Sequence, residues 1–157
     1  MKGLRRNYNS LVVKFAFNSR LFLLVIYKKI ELLERCIMAS IVYDKSKKFA
    51  FRIIKLYKYL IQEYNEPVMT KQLLRCGTSI GANITEAEYA ISKKEFVMKM
   101  YVAFKECGET IYWLDLLFAG KYITEKQYQS MKCDCEELMR LLSSITKTTR
   151  EQLDKSK

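Results

Sequence analysis

The stretch ISKKEFVMKMYVAFKECGETIYWLDLLFAG, residues 91–120, carries the pattern on which the fold class turns. Ser92 followed three residues later by Glu95 is a capping box: the serine oxygen can accept an early helical N–H while the glutamate reaches back. Phe96, Met100, Ala103, Cys107, Thr110, Leu114 and Leu117 then recur at alternating steps of four and three, which places them on one helical face. The spacing predicts one helix from the cap to Ala119, about 42 Å long at 1.5 Å per residue. Gly120 supplies a stop signal.

Working outward, Thr124 and Gln127 form a second capping box, after which Tyr128, Met131, Cys135, Leu138, Leu142, Ile145 and Thr149 repeat the four-three rhythm. The tail over 147–157 turns polar and is expected to fray. On the other side, Pro67 marks the start of a helix over about 68–90. Gly77 and Gly81, four apart with serine and alanine around them, predict a close approach of another backbone rather than a phosphate-cradling loop, since neither glycine-rich nucleotide signature is present. Asn83 and Glu86 fall in this crowded stretch and are read as links between helices. Phe49, Ile53, Leu56, Tyr57 and Leu60 predict a further helix over about 44–64. Four helices joined by short connections predict an all-α, antiparallel up-down-up-down four-helix bundle.

Length and composition agree with this. The chain has 157 residues, a single proline and five glycines, so its loops are few. Residues 38–157 are read as the bundle domain, and residues 1–37 as an N-terminal extension. That extension carries eight basic and two acidic side chains, +6 of the total +11. Its apolar run from Leu21 to Ile26 is far short of the ~20 residues a membrane span needs. It is read as an extension from an upstream start, with the working protein beginning near Met38; a membrane-surface helix is the other reading. No integral membrane association is expected. The five cysteines, Cys36, Cys76, Cys107, Cys133 and Cys135, have no metal-site spacing and there is no histidine. They are read as reduced, mostly buried thiols of a cytoplasmic protein, with Cys133 and Cys135 on different sides of a helix.

For function, the positive charge favours anionic partners. Lys45, Lys48, Arg52 and Lys55 step along the first helix by threes and fours, with Lys58 nearby, and form the candidate surface for non-specific RNA or DNA binding. Tyr59 and Tyr64 are candidates to stack on bases. The same row also reads as an ordinary solvated face. Glu95, Glu106, Glu109 and Asp115 have no histidine to work with, so no catalytic residue, metal or cofactor is expected. Tyr112, Trp113, Phe118 and Tyr122 exceed what one bundle buries, which predicts self-association.

One segment resembles a known family. In residues 72–123, Gln72, Leu73, Arg75, Ser79, Ile80, Ala82, Asn83, Ile84 and Glu86 match a first block, Ser92, Glu95 and Phe96 a second, and Tyr122 with Ile123 a closing one. These resemble the bacterial four-helix-bundle family of 23S rRNA intervening-sequence proteins, which includes the accessory protein of diversity-generating retroelements. Cys76 and Lys121 depart from it, standing where alanine and glycine are common. The resemblance implies a ring-like homopentamer without catalytic residues. For retroelement members it implies binding of nucleic acid and of a partner reverse transcriptase. For intervening-sequence members it leaves a structural or protein-binding bundle.

Overall fold

The computed structural model describes the backbone over residues 2–154, and side chains over residues 22–27, 29–30, 38 and 40–154. The described chain is all-α, with four helices: α1 (Lys2–Tyr64), α2 (Val68–Glu88), α3 (Lys93–Ala119) and α4 (Glu125–Asp154). It divides into two compact units, Met1–Ile37 and Met38–Lys157.

In the first unit the described apolar residues Phe22, Leu23, Leu24, Val25, Ile26, Tyr27 and Ile30 are all exposed. Among the described residues no helix is long and apolar enough to cross a membrane. The expected start of the first helix near residue 44 is corrected, because α1 is helical from Lys2. No proline and no glycine occurs between Gly3 and Pro67, so nothing in that stretch forces a break.

The second unit is the bundle. Each helix meets its neighbours antiparallel. Ser46 and Ile53 of α1 stand against Gly81 and Gly77 of α2. Arg75 and Glu86 of α2 pair with Glu109 and Lys99 of α3. Cys135 of α4 donates its thiol hydrogen to the Cys107 carbonyl of α3 at 3.4 Å. Lys45 and Arg52 of α1 close the circuit onto Glu137 and Asp134 of α4. The up-down-up-down order follows from these four pairings.

The core collects the periodic positions. Val42, Phe49, Ile53, Leu60, Leu73, Ile80, Ile84, Met100, Leu114, Leu117, Leu138 and Leu142 are fully buried, and full burial of such a side chain stabilises by about 1.5–3 kcal/mol. Two positions shift by one residue. Val97 rather than Phe96, and Thr146 rather than Ile145, point inward, with the larger neighbour packed at the margin. A strict seven-residue repeat drifts by about 20° per heptad against a straight helix.

The ends are set by named groups. Ser92 Oγ accepts from Glu95 N–H at 3.1 Å, while the Glu95 carboxylate accepts from Ile91 N–H at 3.0 Å. In the second box Thr124 N–H donates to Gln127 Oε1 at 2.8 Å and Gln127 N–H donates to Thr124 Oγ1 at 3.3 Å. The first turn of α2 is capped by Glu66, which accepts from the N–H groups of Val68 and Thr70. The expected polar tail over 147–154 is helical instead, with Thr149 buried; residues 155–157 lie outside the described residues.

Candidate interaction surface

The basic row of α1 divides in two. Lys45 Nζ reaches the Glu137 carboxylate at 3.0 Å. Arg52 pairs with Asp134 and donates to Ser130 Oγ at 2.8 Å. These two side chains sit at the α1–α4 seam and tie the helices together. Lys48, Lys55 and Lys58 are exposed, and no ion pair engages them among the described residues. Of the two tyrosines, Tyr64 packs edge-on against Tyr122 at 5.3 Å and against Tyr59 at 6.2 Å. Tyr64 is therefore a packing residue of the loop end of the bundle.

Two motif residues of α2, Arg75 and Glu86, form helix-to-helix ties. Arg75 donates to Gln72 Oε1 at 3.2 Å and to Glu109 Oε1 at 2.6 Å, and Trp113 Nε1 donates to the same Glu109 oxygen at 3.3 Å. Glu86 pairs with Lys99 of α3 at an exposed position rather than through a buried hydrogen bond. Asn83 differs: its amide donates to the Ser79 carbonyl at 2.9 Å, within its own helix. A short amide on a helix finds the carbonyl one turn back before it reaches a neighbour. Glu95 serves the α3 cap.

No catalytic arrangement emerges among the described residues. Among the described residues no three histidine, cysteine or acidic side chains could hold a metal ion. Glu106 has a buried Oε2 without a hydrogen-bond partner. Burial raises its carboxyl above the usual value, Glu109 adds to this, and Arg75 opposes it. The thiols behave as packing groups. Cys76, Cys107 and Cys135 are buried and free, Cys133 is free and exposed, and the Cys36 side chain lies outside the described residues. Cys133 and Cys135 do fall on different sides of α4.

The outer face of α3 is the unusual surface. Met98, Tyr101, Tyr112 and Leu116 are exposed along it, and Phe118 flanks them. Lys105 is the one charge between Tyr101 and Tyr112 on this line, and Gly108 lies on it too. Next to it, α3 and α4 enclose a groove of about 310 Å³ lined by Tyr101, Phe104, Thr146, Arg150, Glu151 and Asp154, among others. Tyr101 and Phe104 stack at 6.1 Å, and the Arg150 guanidinium lies 5.1 Å from the Tyr101 ring. Gly108, a mid-helix glycine without a turn to explain it, is a signal that reading the apolar spacing alone passes over.

A bundle of this kind, stitched by ion pairs at its seams and apolar on an outer helix face, defines a helical packing protein. The family model of the 23S rRNA-intervening sequence protein matches residues 38–144, and the chain belongs to that family. The chain is also similar to the crystal structure of a protein of unknown function from the S23 ribosomal protein family of Bacteroides thetaiotaomicron. The two share 55% identity over 68% of this chain and 98% of that one, with a TM-score of 0.67. Among curated proteins none matches. Neither match names a retroelement protein.

Proposed function

We propose that the chain is a non-enzymatic helical scaffold that works by packing against further copies of itself through the outer face of α3. Gly108 is the observation that carries this reading. A glycine inside a helix costs about 1 kcal/mol relative to alanine, and a Cβ built on Gly108 meets nothing within 4 Å. Among the described residues no neighbour inside the chain requires the missing side chain. A second helix approaching the exposed row Met98, Tyr101, Tyr112 and Leu116 would use it, since small residues let backbones come close. The five-membered ring implied by the family resemblance is the assembly this face would serve.

Light scattering on the full chain tests the reading. A multimeric mass for the native chain that falls toward the monomer in Gly108→Arg and Tyr112→Glu supports it. Native-sized assemblies in both variants sink it.

A second reading keeps nucleic acid, and with it assistance to a reverse transcriptase. It is favoured by Lys48, Lys55 and Lys58, exposed and outside the ion pairs that engage Lys45 and Arg52. Binding would be salt-sensitive with little sequence preference. Reversing all three charges should abolish retention of a structured RNA at low salt; equal retention would remove this face from consideration.

A further inference from the structure

We propose that Cys107 and Cys135 form an oxidisable dithiol, a modification site at which a small-molecule disulfide converts two thiols into a covalent staple between α3 and α4. The two residues come from facing helices, and both are fully buried. The Cys135 thiol donates to the Cys107 carbonyl at 3.4 Å, which places its sulfur against the backbone of the residue that carries the other one. The two thiols also hydrogen-bond with each other. Side chains in that relation reach the roughly 2.05 Å of a sulfur–sulfur bond by rotation and a small shift of the helices.

The other described cysteines are placed differently. Cys76 donates to the Leu73 carbonyl of its own helix at 3.5 Å, and the side chain that meets its thiol from α3 is Thr110. Cys133 is exposed and free. It stands two positions from Cys135 on one helix, so it looks out from a different side of α4. One pair is therefore singled out by the packing, not by nearness in sequence.

The closed bundle protects that pair. The mutual hydrogen bond and burial keep Cys135 in its neutral form, and the reacting species is the thiolate. Oxidation waits for local opening of the α3–α4 seam. In the opened state one protein thiolate attacks the small disulfide. A protein–reagent S–S bond forms, the reagent's own S–S bond breaks, and one reagent thiolate leaves. The second protein thiolate then attacks the protein sulfur of this mixed disulfide, forming the Cys107–Cys135 bond and releasing the second reagent thiolate. Two protein thiols are oxidised and one small disulfide is reduced to two thiols, which take up the two protons the protein loses. The second step is intramolecular, so the mixed disulfide does not accumulate. The product closes a loop spanning 28 positions, and the restricted unfolded chain favours the folded one. An oxidant that catches the seam open thus ties it shut.

Treatment of the full chain with 2-hydroxyethyl disulfide in the absence of oxygen tests this, in a Cys36→Ser, Cys133→Ser background and in urea below the unfolding transition. The expected product carries no reagent, joins the peptides of Cys107 and Cys135, and leaves Cys76 open to alkylation. Its melting temperature should rise by about 5–10 °C and return to the starting value with dithiothreitol. Cys107→Ala and Cys135→Ala should each leave the remaining thiol of the pair carrying one reagent group, a readout that does not depend on the variant's stability. The fully unfolded chain is the control. Cys76 and Cys107 are separated by a similar length of chain, so both pairings should form there to similar extents. Pairing of Cys107 with Cys135 that is selective in the folded chain and loses its selectivity on unfolding supports the dithiol. Reagent adducts without a cross-link, equal pairing of Cys107 with Cys76 in the folded chain, or a cross-linked bundle that melts below the reduced one overturns it.

Discussion

Gly77 of α2 lies so close to Ile53 of α1 that a Cβ built on the glycine would stand 2.8 Å from Ile53 Cγ1 and 2.9 Å from Cδ1. Ile53 is fully buried, so it cannot swing out into solvent to make room. Forcing extra volume into a packed core costs about 1–3 kcal/mol, against a helix-propensity gain of about 1 kcal/mol for alanine over glycine. Gly77→Ala is therefore expected to lose up to about 2 kcal/mol in urea-induced unfolding. Four residues on, a Cβ at Gly81 would meet Ser46 Oγ at 3.4 Å, an ordinary contact. Gly81→Ala is expected to be neutral or to gain about 0.5–1 kcal/mol. Equal effects at the two glycines would contradict the asymmetry.

The turn after α3 divides two glycine-like demands between neighbours. Gly120 has an unexceptional φ of −75°, but a Cβ there would sit 2.8 Å from the Tyr122 ring and 3.2 Å from the Leu116 carbonyl. Lys121 adopts the left-handed φ of 61° that glycine takes without penalty. Lys121→Gly is expected to raise the melting temperature slightly, by about 0.5–1 kcal/mol of stability after the unfolded-state entropy of glycine is counted. Gly120→Ala should lower it. A destabilised Lys121→Gly variant would mean that the lysine side chain contributes more than its backbone costs.

Much of this architecture was legible in the sequence. Two capping boxes and the four-three rhythm located α3 and α4 closely, because caps and core spacing are local. A close approach at Gly77 could be read from the sequence, but not that the Ile53 side chain of α1 makes it. Pairings distant in sequence could not. Arg52 and Asp134 lie 82 positions apart, and a lysine-arginine row looks continuous until a second helix supplies the acids for two of its members. Glu66 escaped notice for a different reason, since glutamate just before a proline is not among the usual capping residues. The start of α1 was missed because a predicted helix was ended where its amphipathic pattern weakened, although no breaker stands there.

Glu66 provides a pH handle on the bundle. Burial alone would raise its carboxyl, but the N–H groups of Thr70, Met69 and Val68 and the Thr70 hydroxyl outweigh burial and hold it below the ordinary carboxylate value. A depressed carboxylate stabilises the fold fully above its unfolded pKa, about 4.3. That contribution is lost as pH falls through the lower folded value. Glu66→Gln should lower stability at pH 7 by about 1 kcal/mol or less, the scale of an exposed helix cap. The gap between variant and native chain should close as pH falls below about 4. A gap of constant size across that window would show that the carboxylate charge contributes nothing to the cap.

Thiol reactivity reports on the packing of the same core. Burial pushes the Cys76 thiol up to about 11. Cys135 is likewise pushed up, first by its hydrogen bond with Cys107 and then by burial. The reacting species is the thiolate, so groups shifted upward and sealed from solvent react through opening of the bundle. Cys133 is exposed on α4. In a Cys36→Ser background, an aromatic disulfide reagent at pH 8 should therefore modify one thiol within seconds, and Cys133→Ser should abolish that phase. Cys76, Cys107 and Cys135 should follow at a rate that rises with urea in parallel with global unfolding. Fast modification of a second thiol in the native state would place one of the three outside the closed core and weaken the four-helix packing at its level.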